Sequence, residues 1–110
     1  MQAEMRLATY GSLAPGNPNH EQVSVIPGRW SEGTVRGSLQ NAGWGAKLGF
    51  PGLVLDDQGD SIPVHLLESQ ELPGHWERLD AFGGSGFRRV SVTVDTLDGP
   101  RDACIYVLAG

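Results

Sequence analysis

Apolar positions recur at every second residue along most of this chain, which is the period of a half-buried β-strand. Met5–Tyr10 predicts a first strand, stopped by Gly11. Gly28–Leu39 predicts a second, alternating around Trp30, Val35 and Leu39, with Gly33 and Gly37 where a sheet would bend sharply. Leu53–Leu55 and Ile62–Leu67 predict two more, and Pro63 puts the latter at an edge or near a strand start, because proline cannot donate to a ladder. Phe87–Val94 sets Val90, Val92 and Val94 against Ser91 and Thr93, and Arg101–Leu108 reads as the last strand. The period changes clearly once. Leu72, Trp76, Leu79 and Phe82 share one face of a helix predicted over Ser69–Phe82, with Ser69 and Glu71 at its start and Gly83-Gly84 at its end. His20–Ile26 suggests a short helical turn, and Gly11–Asn19, Asp56–Asp60 and Asp98–Pro100 carry turn chemistry. Gln40–Gly52 is a glycine-studded loop bearing Trp44 and Phe50. With no internal repeat and no linker, residues 1–110 form one α+β domain of about six strands and one main helix. Glycines at the bends favour a small barrel-like sheet over a flat one.

Composition sharpens this picture. Sixteen Gly and seven Pro in 110 residues exclude a helical bundle, while 39% hydrophobic residues and three Trp exclude a disordered tail. A lone cysteine, Cys104, rules out a disulfide framework and reads as a core residue in its apolar run. Eight Lys and Arg against thirteen Asp and Glu give a net charge of −5, and without a basic stripe nucleic acid is not the expected partner. No apolar run reaches the ~20 residues of a membrane span, and the first residues show no signal-peptide pattern, so a cytoplasmic protein, monomer or homodimer, is expected.

Three features could carry chemistry. Tyr10-Gly11-Ser12-Leu13 follows the first strand, where a Gly-Ser turn can aim successive backbone amides into one concavity that takes carboxylate or phosphate oxygens; an ordinary tight turn would look the same. The helix end carries Glu77 and Asp80, which read equally as a solvated face with an arginine salt bridge. His20, His65 and His75 have no metal-ligand spacing, so neither metal nor cofactor is expected. Ser12, His65 and Asp80 lack the Gly-x-Ser-x-Gly setting of a hydrolase nucleophile.

Taken together and in order, the motifs resemble the gamma-glutamylcyclotransferase-like superfamily, of the gamma-glutamylamine cyclotransferase or AIG2-like type. The resemblance rests on four blocks: Leu7-Ala8-Thr9-Tyr10-Gly11-Ser12-Leu13-Ala14-Pro15-Gly16, then Gly33-Thr34-Val35-Arg36-Gly37-Ser38-Leu39, Gly49-Phe50-Pro51-Gly52-Leu53, and Leu79-Asp80 through Phe87-Arg88-Arg89-Val90. It implies a mixed barrel-like sheet with one or two helices, no cofactor, and release of 5-oxoproline from gamma-glutamyl amines or peptides, the substrate's own α-amine attacking its γ-carbonyl. Such a reaction needs a substrate held in near-attack geometry, donors for the developing oxyanion and a base for the α-ammonium. By resemblance, Tyr10, Gly11, Ser12, Leu13, Pro51 and Phe87 fall at substrate-binding positions. The family's catalytic glutamate, in Leu-Asp-x-x-Glu-Gly, falls at Gly83, and its Tyr-x-Arg tyrosine at Phe87.

This departure opens three readings: a family member that binds without turnover, a disabled enzyme, or an enzyme with another base, such as His65. A weak or inactive cyclotransferase is the leading expectation. A non-catalytic binder of gamma-glutamyl-like small molecules, and a protein-interaction domain on the same fold, stand as alternatives.

Overall fold

In the computed structural model, which describes residues 3–41 and 51–109, the strands are β1 (Arg6–Thr9), β2 (Arg29–Gln40), β3 (Gly52–Leu55), β4 (Asp60–Glu68), β5 (Phe87–Thr96) and β6 (Gly99–Leu108). The helices are α1 (Glu21–Ser24) and α2 (Trp76–Gly83). The sheet order is β3-β2-β4-β1-β6-β5, and a further pairing of β2 with β5 closes five of these strands into a barrel, leaving β3 as an extra strand beside β2. Among the described residues, only β1 and β6 pair in parallel.

Closure depends on a close approach at Gly33. Thr34 pairs with Asp95 across the seam. A Cβ on Gly33 would stand 2.6 Å from Val94 Cγ1 and 2.7 Å from the Asp95 carbonyl oxygen, closer than any side chain tolerates. The sharp bend expected at this glycine is therefore where the first and last strands of the barrel meet. Pro63 lies in β4 at a register paired to Thr34 of β2 but beyond the reach of β1, whose pairing stops at Thr9 with His65. At that point β4 has a neighbour on one side only, the kind of position along a strand where proline is tolerated.

Strand parity sorts the apolar residues into two cores. Ala8, Val35, Ile62, Val64, Leu66, Val94, Ala103 and Ile105 fill the barrel, with Val90 and Val92 packed against them. Leu7, Leu67 and Cys104 face the other way and meet Leu72, Trp76 and Leu79 under α2, where Cys104 is a buried free thiol.

Two expectations need correction. The helix predicted over Ser69–Phe82 is divided: Leu72–Gly74 forms a 3₁₀ turn and the α-helix begins at Trp76. Pro73 has no N–H to continue an α-helical ladder, and the His75 amide closes back on the Leu72 carbonyl at 2.8 Å, a three-residue bond. Leu39 is 44% exposed, because it lies past the closed part of the barrel where β2 pairs only with β3. Trp44 and Phe50 of the glycine-studded loop lie outside the described residues.

Candidate active site

The turn after β1 is held rigidly through its carbonyls. The Gly11 oxygen accepts from the Ala14 amide at 3.0 Å and from Asn17 Nδ2 at 2.8 Å. The Ser12 oxygen accepts from the Asn19 amide at 2.9 Å, and Ser12 Oγ accepts from Asn19 Nδ2 at 3.0 Å. His20 Nδ1 lies 2.9 Å from the Leu13 oxygen. Among the described residues, no hydrogen bond uses the amides of Gly11, Ser12 or Leu13. The turn is thus spent on its acceptor side and open on its donor side.

Opposite this turn stands the end of α2. Gly83 is the last helical residue, with φ −65° and ψ −33°, and Gly84 breaks the helix at φ +71°, a conformation that favours glycine. A Cβ at Gly83 would touch Phe87 Cβ at 3.6 Å and Tyr106 Cδ1 at 3.9 Å, both ordinary contacts. Between turn and helix lies a cavity of about 70 Å³, lined by the 8–13 segment, Pro51, Leu79, Phe82, Gly83, Phe87 and Tyr106. All seven positions singled out by the motifs, Tyr10, Gly11, Ser12, Leu13, Pro51, Gly83 and Phe87, border this one cavity.

Two tyrosines build its wall. Tyr10 Oη donates to the Tyr106 carbonyl at 2.7 Å and accepts from the Leu53 amide at 3.1 Å, tying β1 to β6 and β3. Burial pushes its pKa up to about 12, against the smaller lowering effect of the Leu53 hydrogen bond. Tyr106 Oη donates to Asp80 Oδ1 at 2.6 Å, and burial together with that carboxylate raises its pKa far above the ordinary value.

Asp80 faces Arg89 through two hydrogen bonds, Nε to Oδ1 at 3.0 Å and Nη2 to Oδ2 at 3.2 Å, and the guanidinium lies 4.5 Å from the Trp76 ring centroid. Burial would raise the Asp80 pKa, but the hydrogen bonds from Arg89 and Tyr106 and the charge of Arg89 outweigh it and hold it below the usual value. This carboxylate is a structural ion-pair partner, as the salt-bridge reading of the sequence had it. The lowered folded pKa means that its stabilisation is full above the unfolded carboxylate range and is lost as pH falls through the folded pKa. Asp80→Asn is therefore expected to cost under about 1 kcal/mol at pH 7, since the pair is partly exposed, and to flatten the acid limb of stability in thermal melts from pH 2 to 7.

His65 does not reach the cavity. Val64 and Leu66 point into the barrel, so parity turns His65 outward, into a wide cleft with Arg6, Glu32 and Arg101. With Asp80 engaged by Arg89, Ser12, His65 and Asp80 form no catalytic triad. No described residue that lines the cavity is an Asp, Glu, His or Lys. Ala8, Thr9, Leu79, Phe82 and Tyr106 were not foreseen as lining residues. Phe82 could have been, as the last member of the apolar helix face; nothing local in the sequence marks Tyr106.

This closed five-stranded barrel with an extra strand, one main helix and a cavity at the turn after β1 defines the gamma-glutamyl cyclotransferase-like fold. The chain belongs to the gamma-glutamyl cyclotransferase, AIG2-like family, whose model matches residues 7–110. Among solved structures it is similar to YkqA from Bacillus subtilis, at 28% identity and a TM-score of 0.75, with 94% of this chain covered. The match takes in 35% of YkqA, so this chain spans about a third of that protein. An AIG2-like protein from Mus musculus matches at 22% identity and a TM-score of 0.73, over 96% of this chain and 77% of that one. The S177A allophanate hydrolase of Kluyveromyces lactis matches at 17% identity and a TM-score of 0.70, over 96% of this chain and 17% of that one. The last two share the fold alone. Comparison with curated proteins gives no match. The family acts on small gamma-glutamyl substrates, which supports a cyclotransferase-like function in general terms. Among the described residues no helix is long and apolar enough to cross a membrane.

Proposed function

We propose that this chain binds a gamma-glutamyl-type ligand in the cavity and releases 5-oxoproline from gamma-glutamyl amines or peptides only slowly. One observation carries the reading: the Gly11–Leu13 turn, with its uncommitted amides, and Gly83 border the same small cavity. In this reading the amides supply donors to the ligand's oxygens. The apolar walls hold the α-nitrogen against the γ-carbonyl, so the enzyme's contribution is geometry and oxyanion stabilisation. The α-nitrogen forms a bond to the γ-carbon, the bond to the leaving amine breaks, and that amine departs with a proton.

The attacking nitrogen must first lose a proton. No described lining side chain serves as a base near neutral pH, because Tyr10 and Tyr106 both hold their protons more tightly than usual. The proton therefore goes to solvent. Any enzymatic cyclisation, after subtraction of the uncatalysed rate, is expected to rise about tenfold per pH unit until the ligand's amine is deprotonated. A flat profile below that pH would show a base in the site and overturn this account.

The same missing base favours a second reading, a binding domain without turnover. Amide chemical shifts of ¹⁵N-labelled protein, titrated with gamma-glutamyl amines and with 5-oxoproline, test what the two readings share. Shifts concentrated at Gly11, Ser12, Leu13 and Gly83 are expected. No response at these residues to any ligand would overturn both.

A further inference from the structure

We propose that the cavity, as this chain builds it, selects compact monoanionic carboxylates that lack an ammonium group, and that Gly83 sets this preference. The inference rests on the reading that the cavity is a ligand site, and it names the chemistry of the ligand.

The reasoning follows donors and acceptors. A gamma-glutamyl group carries a carboxylate and an ammonium on one carbon, so a site that encloses the first must also accommodate the second. Donors are on offer here. The amides of Gly11, Ser12 and Leu13 are uncommitted among the described residues, and Ser12 Oγ, already accepting from Asn19, keeps its proton to give. Acceptors are not. The carbonyl oxygens of Gly11 and Ser12 already accept hydrogen bonds, and the Leu13 oxygen is in contact with His20. Thr9 Oγ1 donates to the His65 carbonyl, Tyr10 Oη is held between the Leu53 amide and the Tyr106 carbonyl, and Tyr106 Oη is turned to Asp80. Asp80 is taken by Arg89 and does not line the cavity. The stretch 42–50 contains no Asp or Glu in its sequence.

A carboxylate thus finds donors, while an ammonium finds no anionic partner and exchanges part of its water for the apolar walls of Leu79, Phe82 and Phe87. Desolvating an unpaired charge is among the largest penalties in recognition. The position from which a carboxylate would offset that penalty is 83, where the chain has no side chain. A cavity of about 70 Å³ keeps the ligand small.

Two matched pairs test this with the whole chain. Glutaramate is glutamine without its α-amine, and 5-oxoproline is the lactam counterpart of proline. Dissociation constants from ¹⁵N shift titrations at pH 7 should favour glutaramate over glutamine and 5-oxoproline over proline by about tenfold or more. Gly83→Glu should reverse both preferences, because its carboxylate pairs with an ammonium and repels a lone anion. Gly83→Gln, of similar bulk and no charge, should keep the original order. Glutamine and proline binding at Gly11–Leu13 as tightly as their partners would overturn the inference and leave the ligand site standing. A folded Gly83→Glu protein with unchanged preference would overturn the role of Gly83. No response from any of the four probes would remove the ligand site itself.

Discussion

Gly83→Glu is expected to raise the rate of 5-oxoproline release from gamma-glutamyl amines by about 10²- to 10⁴-fold, the usual contribution of a positioned general base. The backbone at this position is right-handed helical, with φ −65° and ψ −33°, so a side chain adds no strain. A Cβ there meets Phe87 and Tyr106 at ordinary contact distances and starts on the wall of the cavity. Two features of the setting would raise the new carboxyl's pKa toward neutrality. The residue ends α2, where the helix dipole disfavours negative charge, and its neighbours include the apolar Leu79, Phe82 and Phe87. Those same features weigh on the charged side chain. Against them, replacing a helical glycine recovers up to about 1 kcal/mol of propensity, so thermal stability should change little. Asp80 cannot take the role, because Arg89 and Tyr106 already occupy its carboxylate. The measurement is kcat/KM from liquid-chromatographic assay of 5-oxoproline over a panel of gamma-glutamyl amines and peptides. Gly83→Gln should stay at the level of the unmodified chain. A folded Gly83→Glu protein that releases no more 5-oxoproline than this control would sink the cyclotransferase reading.

Tyr10→Phe should lower stability by about 2–3 kcal/mol, near 10 °C in Tm for a domain of this size. The phenol joins three strands through two hydrogen bonds, to the Tyr106 carbonyl and from the Leu53 amide, and phenylalanine leaves both partners unsatisfied beside the cavity. The pH dependence separates this cause from a simple loss of packing. The folded pKa of Tyr10 is raised to about 12 from an ordinary value of 10.0. A raised folded pKa means stabilisation that is full below the unfolded value and is lost as pH climbs toward the folded one. The gap between the two proteins should therefore be widest below about pH 10 and narrow toward pH 12, as read by urea unfolding at stepped pH. A gap that does not change over this range would show that the hydroxyl is not what Tyr10 contributes.

Much of this protein could be read before folding is considered, and the reason is local. Alternation in Phe87–Val94 places Val94 inside and Ser91 outside because successive side chains on a strand point to opposite faces. Gly83-Gly84 ends the helix because Gly84 adopts a positive φ. The turn at Gly11 could be placed from its residue types alone, whereas the want of a glutamate at 83 was legible only through the resemblance to the family. The division of the long predicted helix was also latent in Pro73, whose effect competes with an otherwise good apolar face.

What folding alone decided depends on residues far apart in the chain. Barrel closure is one case: Thr34 meets Asp95 only because β2 and β5 are the two ends of the five strands that curl into the barrel. The cavity wall is another. Tyr106 comes from the last strand and Tyr10 from just past the end of the first, and they meet through the parallel pairing of β1 with β6. The register of β4 turned His65 to the outer face and removed it as a base, since a shift of one residue would have exchanged the faces. The sequence by itself thus determined most of the elements and the turn, and its resemblance to the family marked the missing carboxylate. The tertiary structure decided that these share one cavity and that no Asp or Glu among the described residues lines it. Periodicity acts within a few residues, whereas strand register is settled by pairings between segments brought together from distant parts of the chain.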